Sequence, residues 1–247
     1  MILVFRSVAD LGRWAAEIFV QAARRAVGER GRFSAALSGG RSPRCAYRLL
    51  AEPEFSRRIP WERTHIFWAD ERLVPLSSPL SSARLAEATF LGRVPIPPEN
   101  IHRMPVDLPP RRAAANYEAT LREFFGGQTP GFDLVLLGLG ENGHTASLFP
   151  HTRALSEKER WVIPVYRRAE RLHRLSLSAP VLSGGKEIVF IVFGASKARA
   201  LSRTLAATPN SAAYPAKLIR PAAGRLVWLA DRRAAALLTK CELAGGN

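Results

Sequence analysis

Hydrophobic residues recur along this chain in two alternating periods. Residues 1–5 form an apolar run that ends at Arg6 and reads as a first strand. Leu11, Ala15, Ile18, Phe19 and Ala22 then return every three to four residues, the spacing of one helix face. Asp10 is the candidate cap of that helix and Gly28 its candidate stop. Residues 33–37 read as a buried strand, followed by a Ser-Gly-Gly turn and a helix over about 43–50. Pro43 suits the first helical turn, where its missing N–H is not needed. Residues 65–68 give the next strand, which ends in Asp70-Glu71-Arg72.

Six prolines in residues 93–110 predict a long surface connection. Tyr117, Leu121 and Phe124 mark a short helix, and residues 132–137 are a nearly unbroken apolar strand bounded by Gly131 and Gly138. Further strands are predicted at 162–166, 173–178, 188–193 and 225–230, with helices near 196–206 and 231–239. Short apolar strands alternating with helices predict an α/β fold: a Rossmann-like, mostly parallel sheet with helices on both faces. No repeat, low-complexity tract or composition break divides the chain, so one domain over 1–247 is expected.

Composition narrows the classes. Hydrophobic residues at 47% and charged residues at 23% exclude a disordered chain. Two isolated cysteines, Cys45 and Cys241, are too few for a disulfide framework or a Cys-based zinc site, and point to a reducing compartment. The first apolar run is shorter than a secretory core, and no stretch approaches the roughly 20 residues of a membrane span. A soluble, cytoplasmic protein with no membrane partner is expected. The net charge of +15 raises the alternative of a nucleic-acid binder. The arginines are scattered, however, with no basic run of five or more. The five tryptophans (Trp14, Trp61, Trp68, Trp161, Trp228) fall mostly in predicted elements, as core residues do. No nucleic-acid partner is expected; the charge suits general attraction and steering of a small anionic substrate.

Three loops at the carboxyl ends of predicted strands are chemically loaded, which is where open parallel sheets bind ligands. In Leu37-Ser38-Gly39-Gly40-Arg41-Ser42-Pro43, adjacent glycines let backbone N–H groups converge beside a helix N-terminus, a setting for phosphate or a polarised oxygen. Arg41 and Arg44 can add charge. In Ala69-Asp70-Glu71-Arg72-Leu73-Val74-Pro75, Arg72 can grip a phosphate bidentately and Asp70 can orient a hydroxyl or a neighbouring cation; a salt-bridged strand end is the plainer alternative. In the segment 138–150, glycines at 138, 140 and 143 present His144, a natural proton acceptor at neutral pH.

These segments, LSGGRSP, ADERLVP and LLGLGENGHTASLFP, stand in the order found in 6-phosphogluconolactonases, and the chain resembles that family. The similarity continues through RLSLSAPVL, through IVFIVFGASKARAL with its Gly194 and Lys197, and through PAKLIRPAAGRLVWLAD, so it spans nearly the whole chain. The resemblance implies hydrolysis of 6-phospho-D-glucono-1,5-lactone, a sugar-phosphate substrate. His144 would be the general base, the Gly39-Gly40 amides the oxyanion donors, and Arg72 and Lys197 the phosphate ligands. Ser38, Asp70 and Asn142 complete the expected substrate site. The histidines at 65, 102, 144, 151 and 173 are not spaced with carboxylates as zinc ligands, and no metal or cofactor is expected.

The chain departs from the family pattern at Asn142, where Asp is common, and at Ser81-Ser82, where Ser-Asn is common. An amide at 142 can hydrogen-bond but adds no basicity, so Asn142 is expected to position its neighbours. Glucosamine-6-phosphate deaminases resemble the same loops. They typically carry Asn-Glu-Pro after the Gly-His pair; here Ser147-Leu148-Phe149-Pro150 occupies that stretch and holds no Glu.

Overall fold

The computed structural model describes residues 1–207, 210–221 and 223–239. In chain order it contains β1 (Ile2–Phe5), α1 (Val8–Arg30), β2 (Phe33–Leu37), α2 (Arg44–Leu50), α3 (Pro53–Ser56), β3 (Thr64–Trp68), β4 (Asp70–Arg72), α4 (Ser82–Thr89), α5 (Pro110–Phe124), β5 (Leu134–Gly138), β6 (Val162–Arg167), β7 (Leu172–Leu177), α6 (Ala179–Ser183), β8 (Glu187–Val192), α7 (Ala198–Leu205) and β9 (Arg225–Asp231). Six of the strands make an all-parallel sheet in the order β1-β9-β8-β5-β2-β3. Every residue of β2 and β8 is buried, as expected of central strands covered on both faces. Among the described residues no helix is long and apolar enough to cross a membrane.

The sheet order reverses between β2 and β5. From β2 the chain moves outward to β3, then returns to the other side of β2 as β5 and continues through β8 and β9. A reversal of this kind opens a crevice at the strands' carboxyl ends, because the loops leave β2 and β5 in divergent directions.

Helix α1 departs from expectation at both ends. Ser7, not Asp10, is its N-cap, accepting the Asp10 N–H at 3.1 Å, and Gly31, not Gly28, ends it in a left-handed conformation at φ 74°. The apolar face runs on past Ala22 to Ala23 and Ala26, so the helix has no reason to stop at Gly28. Helix α5 is 15 residues long, more than the short helix expected.

The strands predicted at 162–166 and 173–178 do not join the parallel sheet. They form β6 and β7 of a second, antiparallel sheet in the order β4-β7-β6. The link between them, residues 168–171, is far too short for a parallel crossover, which needs about a dozen residues or more. Both sheets contribute to one hydrophobic cluster, with α5 packed on β6 and β7.

Two further expectations fail. Residues 232–237 make successive turns instead of a helix; the Asp231 carboxylate accepts both the Ala234 and the Gly194 N–H (2.8 and 3.0 Å), tying this turn to the loop after β8. Residues 240–247 lie outside the described residues. Of the five tryptophans, Trp61, Trp68, Trp161 and Trp228 are buried, but Trp14 is 49% exposed beside Phe5.

Candidate active site

Side-chain alternation in the small sheet decides which charges face the crevice. Asp70 and Arg72, two apart on β4, share a face, and the antiparallel register sets them opposite Ser176 and Arg174 of β7. Glu71 points the other way. It is buried, and its carboxylate accepts the N–H groups of Arg72, Ser82 and Ala83 and the Ser81 hydroxyl at 2.7–2.9 Å, clamping the start of α4. Burial pushes its pKa up. The Asp-Glu-Arg segment thus divides: Glu71 holds backbone N–H groups rather than the salt bridge expected of a plain strand end, and Asp70 and Arg72 line the crevice.

That crevice is a cavity of about 320 Å³ at the carboxyl ends of β2, β5 and β8. It brings together Ser38, Gly39 and Gly40 from the first loop, Asp70 and Arg72 from the second, His144 from the third, and Lys197 from the turn entering α7. Arg41, Arg174 and Ser196 also line it, so four cations face one carboxylate. Asn142 is not part of the lining. It sits behind the histidine, with its Oδ1 2.6 Å from His144 Nδ1 and 3.3 Å from the His144 N–H. In the neutral ring this makes Nδ1 the donor and leaves Nε2 with its lone pair.

The backbone is shaped around the imidazole. A Cβ on Gly140 would overlap the His144 ring, so only glycine allows the strand end to pass beneath it. The loop is closed by Gly140 N–H to His144 O at 2.7 Å, and the ring packs on Phe149 with centroids 4.6 Å apart. Burial pushes the His144 pKa down to about 4. Asp70 opposes that shift, while Arg174, Lys197 and Arg167 reinforce it. In the free protein the ring is therefore neutral at physiological pH. Across the cavity, a Cβ on Gly39 would collide with Ser82 and crowd Arg72.

Arg174 is a site residue that the sequence reading missed. It is 6% exposed, its Nη1 lies 3.7 Å from Asp70 Oδ2, and its Nη2 donates to Glu170 at 2.5 Å. Asp70 also accepts the Ser147 hydroxyl at 2.7 Å. The signal was present: polar Arg174, Ser176 and Ser178 alternate with Leu175 and Leu177, and in the structure both faces are buried. A buried polar stripe must meet polar partners, here the cavity and β4. Two lining atoms, Ser38 Oγ and Arg174 Nε, are buried without a hydrogen-bond partner. Lys197 has its pKa lowered by burial, with Glu141 opposing and Arg41 adding to the shift. Among the described residues no group of three or more His, Cys, Asp or Glu side chains is arranged to hold a metal ion.

Comparison with known proteins identifies the family of the chain. Residues 6–228 match the family described as glucosamine-6-phosphate isomerases/6-phosphogluconolactonase. The chain is 42% identical over 214 residues to a 6-phosphogluconolactonase of Synechocystis sp., covering 85% of this chain and 86% of that protein. It is 39% identical over 218 residues to the 6-phosphogluconolactonase of Nostoc sp., covering 87% and 88%. The crystal structure of 6-phosphogluconolactonase from Thermotoga maritima superposes with a TM-score of 0.80 at 29% identity, covering 94% of this chain and 99% of that one. The chain is thus an enzyme of the 6-phosphogluconolactonase family, within the larger group of glucosamine-6-phosphate isomerases and 6-phosphogluconolactonases.

Proposed function

We propose that the cavity hydrolyses 6-phospho-D-glucono-1,5-lactone to 6-phospho-D-gluconate, with His144 as general base and no metal in the reaction. The observation that carries the reading is convergence: one neutral imidazole and the cations Arg72 and Lys197, from three distant segments, line a single cavity. Arg72 and Lys197 hold the phosphate; one arm of the Arg72 guanidinium is already anchored on the Leu80 carbonyl at 3.0 Å. Fixing that end sets the lactone carbon near His144 Nε2 and converts the attack into a positioned one. The ring takes a proton from water as the water oxygen bonds to the carbonyl carbon. The C–O bond to the ring oxygen then breaks, and the imidazolium returns the proton to that oxygen. Backbone N–H groups of Gly39 and Gly40 stabilise the transient oxyanion.

Asn142 fixes the tautomer, and Asp70 holds Arg174 or a sugar hydroxyl. The unpartnered Ser38 hydroxyl and Arg174 Nε are suited to a polyhydroxylated ligand, since leaving such groups bare costs about 1–3 kcal/mol each. The bound dianion also offsets the cationic repulsion on His144, raising its basicity toward the working pH.

The test sets this reading against the deaminase alternative. Purified protein is given the lactone at slightly acidic pH, where spontaneous opening is slow, and glucosamine 6-phosphate in a parallel assay. Rapid lactone opening without ammonia release is the expected result. Ammonia release with no acceleration of lactone opening would overturn the assignment.

A further inference from the structure

Glu141 has no part in the reaction above, yet it faces Lys197, one of the two cations assigned to the phosphate. Its Oε1 lies 3.8 Å from Lys197 Nζ. A hydrogen bond from Ser196 and the charges of Lys197 and Arg41 hold its carboxyl below the usual range. Those three partners all line the cavity. The two ends of the ion pair are unequal. The Lys197 side chain is 18% exposed, fixed in the wall on the turn entering α7, whereas Glu141 is 60% exposed. The ammonium stays, and the carboxylate is free to swing into solvent by rotating its own side chain.

We propose that Glu141 is an internal stand-in for the substrate's phosphate, neutralising Lys197 beside Arg41 in the free protein and yielding to a doubly charged phosphate monoester. The inference rests on the reading that Lys197 receives the phosphate. Its consequence is a lower affinity for every anion, which only a strongly held one overcomes. A dianion gains more from these cations than the single carboxylate it expels. A singly charged acid gains little by the same exchange. Glu141 thereby sets a threshold that every anion must exceed, and it tunes the affinity of the site rather than taking part in catalysis.

The experiment measures inorganic phosphate binding by calorimetry at pH 8, where phosphate is doubly charged, for wild type, Glu141→Gln and Glu141→Ala. Exposed ion pairs of this kind correspond to about a two- to five-fold change in affinity. Both variants are expected to bind phosphate tighter by that factor at low ionic strength, with the gain shrinking as salt is added. The KM for the phosphorylated lactone falls in parallel, and the change lies in KM rather than kcat. Unchanged or weaker phosphate binding overturns the proposal, as does a variant whose defect is confined to kcat, the mark of a residue that merely shapes the His144 loop. Phosphate binding requires no turnover. A chain inert toward the lactone but with tighter phosphate binding in the variants would refute the lactonase reading and leave this inference standing.

Discussion

Burial pushes the pKa of two histidines in this protein, His144 and His102, down to about 4, and their surroundings differ in kind. His102 stacks on Phe67 with centroids 4.2 Å apart and planes within 6°, and its Nε2 lies 3.3 Å from His65 Nδ1. Phe124 closes the cluster. Nothing there resembles a ligand site: the ring is one aromatic plate among others. His144 instead sits over a glycine, tethered at Nδ1, with its other nitrogen available beside four cations. A depressed pKa alone therefore does not mark a functional histidine. Convergence of groups that packing does not require marks one.

Mutation separates the two most sharply. His144→Ala is expected to reduce kcat for the lactone by roughly 10²–10⁴-fold, the usual contribution of a general base. His102→Phe, which keeps the plate, leaves catalysis near the wild-type level. Steady-state kinetics on variants with wild-type thermal unfolding profiles make the comparison. Equal losses in both, or none in His144→Ala, would abolish the distinction.

Titration sharpens it further. Sulfate stays doubly charged across the acidic range and can occupy the phosphate end. Histidine NMR signals followed against pH should show His144 titrating near 4 in the free protein and moving upward in saturating sulfate. His102, which does not line the cavity and whose shift owes nothing to its cations, should not move. A His144 signal indifferent to sulfate would mean that the anion does not reach its neighbours.

The two histidines also share a signature in stability. Unfolded histidines bind protons near pH 6.5, whereas folded His102 and His144 resist until about 4. The unfolded state then holds more protons between these limits, so stability falls as pH drops from 6.5 to 4 and on their account falls no further below it. His102→Phe removes one of these sites. Its thermal midpoint should decline less steeply over that interval than the wild type's, and an unchanged slope would show that His102 already titrates normally when folded.

Most of this architecture was legible in the sequence because its signals are local. The strand over 33–37 coincides with β2, and the glycine-laced loops after β2 and β5 announce backbone that must pass close to something. What escaped is relational. Arg174 is a lone cation in an alternating strand, and only the register against β4 sets it opposite Arg72. The antiparallel sheet was within reach, since the link 168–171 forbids a parallel crossover. The turns after Asp231 were not, because they depend on a carboxylate shared with the distant Gly194 N–H.

The finest test of the comparison lies one residue pair away from the ring. Asn142 Oδ1 accepts the Nδ1–H of His144, an arrangement that orients the imidazole without adding charge. Asn142→Asp puts a carboxylate at the same 2.6 Å contact and favours the imidazolium. The acidic limb of kcat should shift to higher pH. The rate at neutral pH should change by only a few-fold, because a stronger base is also a slower proton donor to the departing ring oxygen. The pH profile of kcat for the two proteins reads this directly. A limb that stays in place would mean that Nδ1 is not the tethered nitrogen, and the tautomer assigned to the working histidine would have to be reversed.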